Sequence, residues 1–220
     1  MIGTRVSLMP PSPLQQRPSL RKVPGQARSA ETVRIIIEAA ARILEEGGLG
    51  AFTTNAVAER AGVSIGSLYQ YFPGKDALVG ALIVRETSLL IANCEMALAA
   101  PTGRAALSGL IRSAVAHQLR RPVLARLLDV EEARLPFDAD TQRVTLRLRE
   151  ILREVLIRPD LSLPFDEAVA GQDVLAIVKG MVDAAGERGE LDQSSLVERV
   201  SRAVYGYLDG ARESAGQPPA

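Results

Sequence analysis

Ser64 to Lys75 concentrates side chains that can bind phosphate groups and base edges. The stretch contains hydroxyl groups, an amide and a lysine, and it contains no Asp or Glu. Two of the four tyrosines of the chain, Tyr69 and Tyr71, lie two residues apart within it. Hydroxyls, backbone amides and cations hold phosphates, and the first residues of a helix in a major groove reach base edges. The composition therefore indicates a nucleic-acid surface, with the alternative that both tyrosine rings pack as amphipathic core residues.

Two short helices joined by a tight turn would position this stretch. Thr53 or Thr54 can cap the first helix, and Gly62 can adopt the left-handed conformation that ends it. Ser64 can cap a second helix, predicted from Ile65 to Phe72 and ended by Pro-Gly. This spacing predicts a helix-turn-helix. The residues expected to face its core are Val57, Ala58 and Ala61 in the first helix and Leu68 and Phe72 in the second.

The stretch resembles the N-terminal DNA-binding domain of the tetracycline-repressor (TetR) family. The likeness rests on the pattern AGVS-x-GSLYQYF-x-x-K, residues 61–75, and extends over about residues 31–84. By position, the resemblance implies that Thr54 and Lys75 bind phosphates and that Tyr69 and Tyr71 bind the sugar-phosphate backbone. It places base-edge contacts on Asn55, Ile65, Gly66, Ser67 and Gln70, and the cap residues Thr53 and Ser64 belong to the same candidate DNA-binding set.

Ile65 departs from the pattern of the family. Many members have a polar residue or a lysine directly after the AGVS turn, and this chain has an isoleucine. Such a side chain could make only an apolar contact, for instance with a thymine methyl group.

The composition and the charge distribution are typical of a helical protein with a basic N-terminal part. The 220 residues are 47% hydrophobic and 24% charged, rich in Ala, Leu, Val, Arg and Glu, and without Trp. The net charge is zero, but residues 1–85 contain 10 Lys or Arg and 6 Asp or Glu, which leaves an acidic remainder. No apolar run approaches the ~18 residues of a membrane span. The single Cys94 excludes an intrachain disulfide and fits a reducing cytoplasm.

The chain divides into an arm and two helical parts, so that the predicted fold class is all-α. Residues 1–28 are expected to form a disordered basic arm, which either follows DNA or is a solvated tail. Residues 29–76 form the helix-turn-helix domain, with a first helix that is capped by Ser29 and stopped by Gly47-Gly48. A linker helix continues to about residue 99 within the C-terminal part, residues 77–220. Further helices are predicted over residues 102–119, 122–134, 138–157, 165–187 and 193–211.

Small residues recur on the last two helices. Mid-helix glycine lowers helix stability by roughly 1 kcal/mol against Ala, so a packing gain should offset it. The resemblance places the subunit interface of a homodimer here, and the alternative is that the small residues pack inside one subunit. The candidate interface residues are Ala176, Gly180, Ala184, Val204, Gly206, Tyr207 and Gly210.

Constellations for catalysis, metal binding or a cofactor are not recognisable. The sole histidine, His117, has no second histidine or neighbouring cysteine to share a metal. Adjacent carboxylates such as Glu45-Glu46 are expected on different helix faces and in solvent. No enzyme activity and no cofactor are predicted. The resemblance implies a cavity for a small molecule among the C-terminal helices, with candidate lining residues Cys94, Met96, His117 and Phe137.

These patterns predict a cytoplasmic, homodimeric transcription factor that binds a palindromic operator, with no membrane partner. The resemblance implies a repressor released by an effector, which the apolar composition suggests is hydrophobic or amphipathic. Two alternatives stay open: an all-helical enzyme or ligand carrier, and an effector-independent activator or DNA-binding protein.

Overall fold

The computed structural model of the chain describes residues 27–134, 139–163 and 166–214. Within these ranges every regular element is an α-helix, which confirms the all-α fold class. The predicted arm lies outside the described residues, apart from its last two positions. The helices are α1 Ala27–Ala51, α2 Thr54–Ala61, α3 Ile65–Tyr71, α4 Lys75–Ala97, α5 Gly103–Arg120, α6 Pro122–Arg134, α7 Ala139–Leu156, α8 Glu167–Glu187 and α9 Gln193–Ser214.

Helix boundaries follow the caps and breakers in the sequence. The Thr102 hydroxyl accepts a hydrogen bond from the Ala105 amide at 3.1 Å and caps α5, while Pro122 begins α6 directly after Arg121. The observed boundaries of α4 to α9 differ from the predicted ones by at most three residues.

Helix α1 is kinked at Gly48, where φ is 62° and ψ is −164°. The sequence predicted that the helix stops at this glycine, whereas a short helical segment continues to Ala51. Glycine reaches such a positive φ without the steric penalty of a Cβ atom. The segment after the kink leads into Phe52, which is fully buried.

Two hydrophobic cores lie at the two ends of α4. The first takes the inner faces of α1, α2, α3 and the first half of α4, and it also contains Leu124 and Leu128 of α6. The second is formed by α5, α7, α8 and α9. The predicted three-helix core is therefore larger than expected, because α6 turns an apolar face with four-residue spacing toward α1 and α4.

Helix α4 joins the two cores. By length and hydropathy alone it meets the criteria for a membrane span, which the sequence analysis did not anticipate. The first part of the helix, however, packs inside the protein, with Leu78 and Leu82 in the first core. Glu86, in the middle of the helix, is engaged by two arginines. These contacts are those of a helix that packs against other helices of the protein.

Candidate nucleic-acid interface

Capping residues hold α2 and α3 in the crossed arrangement that the sequence predicts. The Thr53 hydroxyl accepts a hydrogen bond from the Ala56 amide at 3.1 Å and begins α2. Gly62 has φ 67° and ψ 29°, the left-handed conformation that ends this helix. The Ser64 hydroxyl accepts from the Ser67 amide at 3.0 Å and begins α3. The predicted capping residues of α2 and α3 and the left-handed glycine between them are therefore confirmed.

The outer face of α3 carries most of the candidate DNA-binding side chains. Leu68 and Phe72 are buried beneath α3 as predicted. Tyr69 is 42% exposed, and Ser67 and the entry residue Thr54 are half-buried. The candidates that are exposed along with Tyr69 are Thr53, Asn55, Ser64, Ile65, Gly66 and Gln70.

Tyr71 does not share this face. Its side chain is only 9% exposed and packs in the first core, so the expectation that it lies on the outside of α3 is wrong. Two residues along a helix correspond to a rotation of about 200°, which carries Tyr71 away from Tyr69. The alternative of a core tyrosine therefore holds for Tyr71 and not for Tyr69.

Paired hydroxyl groups join the two helices at the surface. The Thr54 Oγ1 and the Tyr69 hydroxyl lie 3.1 Å apart, so that a residue of α2 fixes the position of a tyrosine of α3. The hydroxyls of Ser64 and Ser67 lie 2.8 Å apart at the beginning of α3. These contacts order polar atoms on the surface where phosphates are expected to bind.

Lys75 lies next to this surface and is half-buried. Its Nζ donates a hydrogen bond to the Leu49 carbonyl oxygen at 3.2 Å and lies 5.4 Å from the centroid of the Phe52 ring. The lysine therefore ties the start of α4 to the kinked end of α1, a role that the sequence did not predict.

An ion pair that sequence reasoning missed fixes α2 on α1. Nη1 and Nη2 of Arg60 donate to the two oxygens of the Glu46 carboxylate at 2.5 Å and 2.6 Å, and this hydrogen bonding holds the pKa of Glu46 below its ordinary value. The neighbouring Glu45 binds Arg121, at 2.5 Å to Nη2. The two carboxylates do lie on different helix faces. The Glu46 side chain is 58% exposed, in solvent as expected, whereas that of Glu45 is only 27% exposed, which corrects the expectation for Glu45. No local sequence signal identifies these partners, because they are distant along the chain.

The small-residue face of α8 and α9 is open in a single chain. A methyl group in place of a hydrogen of Gly180 or Gly206 would meet no atom of the described residues within 4 Å. Ala176 and Gly210 are exposed, and Ala184 is half-buried. The alternative that these glycines pack inside one subunit is therefore not supported.

Two candidate interface residues point into the subunit. Val204 is fully buried in the second core, so its assignment to the subunit interface is corrected to internal packing. The Tyr207 hydroxyl donates to Asp173 Oδ2 at 2.6 Å. Burial, together with this carboxylate, raises the pKa of Tyr207 to about 12.

The candidate effector residues that the structure describes differ in their exposure. Cys94 is buried on α4, and burial raises its pKa to about 11. Burial likewise lowers the pKa of the half-buried His117 on α5. Met96 is 69% exposed, so its expected place in an enclosed cavity is wrong. Phe137 lies outside the described residues, among which no cluster of His, Cys, Asp or Glu could hold a metal ion.

Comparison with known families gives two matches along the chain. Residues 36–82 match the family model described as bacterial regulatory proteins, tetR family. Residues 104–208 match the tetracyclin repressor-like C-terminal domain. Together the two matches span more than half of the chain and include the helix-turn-helix, all of α8 and most of α9.

Two curated proteins are similar to parts of this chain. The transcriptional repressor KstR of Mycolicibacterium smegmatis is 38% identical over 85 residues, which cover 39% of this chain and 38% of that protein. The nucleoid occlusion factor SlmA of Vibrio campbellii is 28% identical over 157 residues, covering 67% of this chain and 80% of that protein.

Solved structures share this fold over most of the chain. A TetR-family regulator from Streptomyces coelicolor superposes with a TM-score of 0.64 at 28% identity, covering 83% of this chain and 98% of that one. FadR of Bacillus subtilis, solved in complex with stearoyl-CoA, gives a TM-score of 0.64 at 20% identity, covering 80% of this chain and 98% of that one. At the latter identity the likeness is one of fold.

Proposed function

The chain belongs to the TetR family of bacterial regulatory proteins, and we propose that it is a sequence-specific transcriptional repressor that binds a palindromic operator as a homodimer. The observation that carries the proposal is the outer face of α3, which presents hydroxyls, an amide and an apolar side chain and bears no acid. An acid-free face of this kind avoids repulsion from the phosphate backbone.

Roles on this face follow from position and exposure. The first turn of α3, with Ile65 and Gly66, faces base edges in the major groove, where Ile65 can contact a thymine methyl group. Gln70 offers both a donor and an acceptor to a base. The hydroxyl pair of Thr54 and Tyr69 donates to a phosphate oxygen and sets the register of the helix on the duplex.

Dimerisation would present two such helices to one duplex. Close approach of α8 and α9 from two chains requires small side chains, and Gly180 and Gly206 leave that space open. A two-fold dimer places the recognition helices one helical turn of DNA apart, about 34 Å, which requires a palindromic site.

We further propose that a small molecule, apolar or amphipathic, releases the operator by binding among the C-terminal helices. The relative KstR is named as a repressor, and the FadR structure contains stearoyl-CoA. Release requires that the molecule bind the DNA-incompetent state more tightly, by about 10⁴-fold for a nearly complete shift in population.

A second candidate is an effector-independent DNA-binding protein. The similarity to SlmA, a nucleoid occlusion factor, extends over 67% of this chain and favours this alternative over an enzyme or a carrier. In either case the proposed location is the cytoplasm, where the chromosome lies.

Selection of duplexes from a random library by the full-length protein tests the proposal. A regulator of this kind enriches one palindrome, which it then binds about 10³-fold or more tightly than unrelated DNA at moderate salt. Enrichment of no sequence, with only salt-sensitive binding to every duplex, contradicts operator recognition. Selection of a palindrome whose binding no fatty acid or acyl-CoA weakens supports the effector-independent alternative.

A further inference from the structure

Arg120 and Arg121 lie at the corner where the two cores meet. Arg120 is the last residue of α5, which belongs to the second core, and Pro122 begins α6, which packs in the first. Arg121 stands between them, with φ −141° and ψ 66°. The Arg121 side chain reaches α1, whereas the Arg120 side chain reaches the middle of α4.

Arg121 binds two carboxylates of α1. Its Nε and Nη2 donate to the two oxygens of Glu45 at 2.6 Å and 2.5 Å, and its Nη1 donates to Glu38 Oε2 at 3.1 Å. The Arg121 side chain is only 19% exposed, so water screens these pairs less than it screens most surface pairs. Hydrogen bonding to Glu45 is the main cause that raises the pKa of Arg121.

The pairs continue along α4 as an alternating row of charges. Arg85 Nη1 donates to the same Glu38 oxygen at 3.0 Å, and Arg85 Nε donates to Glu86 Oε1 at 2.8 Å. The other Glu86 oxygen accepts from Arg120. The row thus joins α1, α4 and the α5–α6 corner, and its most buried member is Glu86.

Glu45 and Glu46 make α1 a connection between this corner and the helix-turn-helix. Glu45 faces Arg121, whereas the adjacent Glu46 binds Arg60 of α2. A displacement of the α5–α6 corner would therefore move α1. Because α1 is bound to α2, the displacement would also move α2 and the adjoining α3.

We propose that Arg121 is a positioning residue for DNA binding: it fixes the orientation of α1, α2 and α3 on the C-terminal helices through Glu38 and Glu45. The inference rests on the proposed function, and it assigns to one residue of the C-terminal part a control over operator affinity without contact with DNA. Lysine cannot replace it fully, because an ammonium group lacks the planar fork that reaches two carboxylates at once.

The test compares Arg121→Gln with Arg147→Gln in the full-length protein. Arg147 is a matched control, because it also binds several carboxylates, those of Glu95, Glu150 and Glu154, none of which lies in α1 to α3. Binding is measured on the duplex that the wild-type protein selects. Arg121→Gln should weaken binding about 3- to 30-fold, the range found for residues that couple sites without touching either ligand. Arg121→Lys should recover part of the loss, and Arg147→Gln should leave affinity unchanged.

Hydrogen exchange of the free protein supplies a readout that does not depend on DNA. In Arg121→Gln, amides of α1 around Glu38 and Glu45 should exchange faster, while those of α8 and α9 keep their wild-type rates. Faster exchange throughout both cores would show a general loss of stability and overturn the proposal, as would unchanged exchange in α1.

A double-variant cycle separates positioning from charge. In a Glu38→Gln/Glu45→Gln background, Arg121→Gln should have little further effect on affinity, because its partners are already lost. A full additional loss there would show that Arg121 acts through its charge alone and would overturn the proposal. If the wild-type protein selects no duplex, the proposed function fails, and the exchange of α1 still decides whether Arg121 fixes that helix.

Discussion

The Thr54 Oγ1 and the Tyr69 hydroxyl lie 3.1 Å apart and connect α2 to the exposed face of α3. Loss of the hydroxyl in Tyr69→Phe should weaken binding to all duplexes by about 10- to 150-fold, since a hydrogen bond to a charged group contributes roughly 1.5–3 kcal/mol. Tyr71→Phe is the control, because the Tyr71 ring is buried in the first core. Fluorescence anisotropy with labelled duplex measures both affinities. Equal losses would assign the two tyrosines the same role and contradict the difference in their exposure.

Lys75 and Gln70 should affect DNA binding in different ways. Lys75→Met keeps an apolar side chain over Phe52 and removes the charge. Affinity should therefore fall equally for all DNA sequences, and the slope of log K against log salt concentration should decrease in magnitude by roughly one, as for the loss of one phosphate contact. Gln70→Ala and Ser67→Ala should instead change the preference at single base positions. Titrations at several salt concentrations, on the selected duplex and its single-base variants, separate these effects. A sequence-dependent loss in Lys75→Met would refute this division.

Gly180 and Gly206 should control dimerisation without affecting the fold of one chain. A Cβ atom at either position meets open space within the subunit. A leucine there should collide with a second copy, so the dimer should weaken about 10- to 100-fold. Light scattering over a concentration series, together with circular dichroism, gives the oligomeric state and the helix content. Gly109→Leu is the contrasting variant, since even a methyl group there would lie 2.6 Å from the Ala97 Cβ. That variant should lose thermal stability, and an intact Gly180→Leu dimer would place the interface elsewhere.

His117 should make stability depend on pH below the ordinary histidine pKa. Burial lowers its pKa from 6.5, and the charge of Arg120 acts in the same direction, whereas Glu86 and Asp129 oppose the shift. The unfolded chain therefore binds this proton more readily than the folded chain, and the free energy of unfolding falls as the pH drops below 6.5 toward the folded-state pKa. Urea unfolding at about pH 7.5 and pH 5.5 should show a smaller decrease for His117→Gln than for the wild type. An NMR titration of the single imidazole giving a pKa of 6.5 or higher would contradict this account.

Local signals predicted the helix-turn-helix well because its structure depends on neighbouring residues. Caps at Thr53 and Ser64 and the left-handed Gly62 each act within a few positions, and the structure has all three. The side of α3 that Tyr71 occupies was misjudged, because a tyrosine is chemically suited to either face.

Partners distant along the chain could not be predicted in this way. The contacts of Glu45 with Arg121 and of Lys75 with the Leu49 carbonyl depend on how α1, α4 and α6 pack. The spacing of apolar and small residues along a helix also does not distinguish a residue that faces the core of its own subunit from one that would face a second subunit. Val204 and Gly206 lie two positions apart on α9, and only the folded chain shows that one is buried and the other open.

The place of Leu124 and Leu128 in the first core bears on how regulators of this kind could be recombined. In a chimera that joins residues 27–97 to the C-terminal helices of another protein, the apolar side chains of α1 and α4 that contact α6 would be exposed to solvent. The new C-terminal helices would have to supply leucines that cover them. The unit that would have to be transferred is therefore not one continuous segment: it consists of α1 to α4 and, separately, of α6, the helix that follows Arg121. An exchange of C-terminal helices between related regulators would therefore have to keep that helix and replace the segments around it.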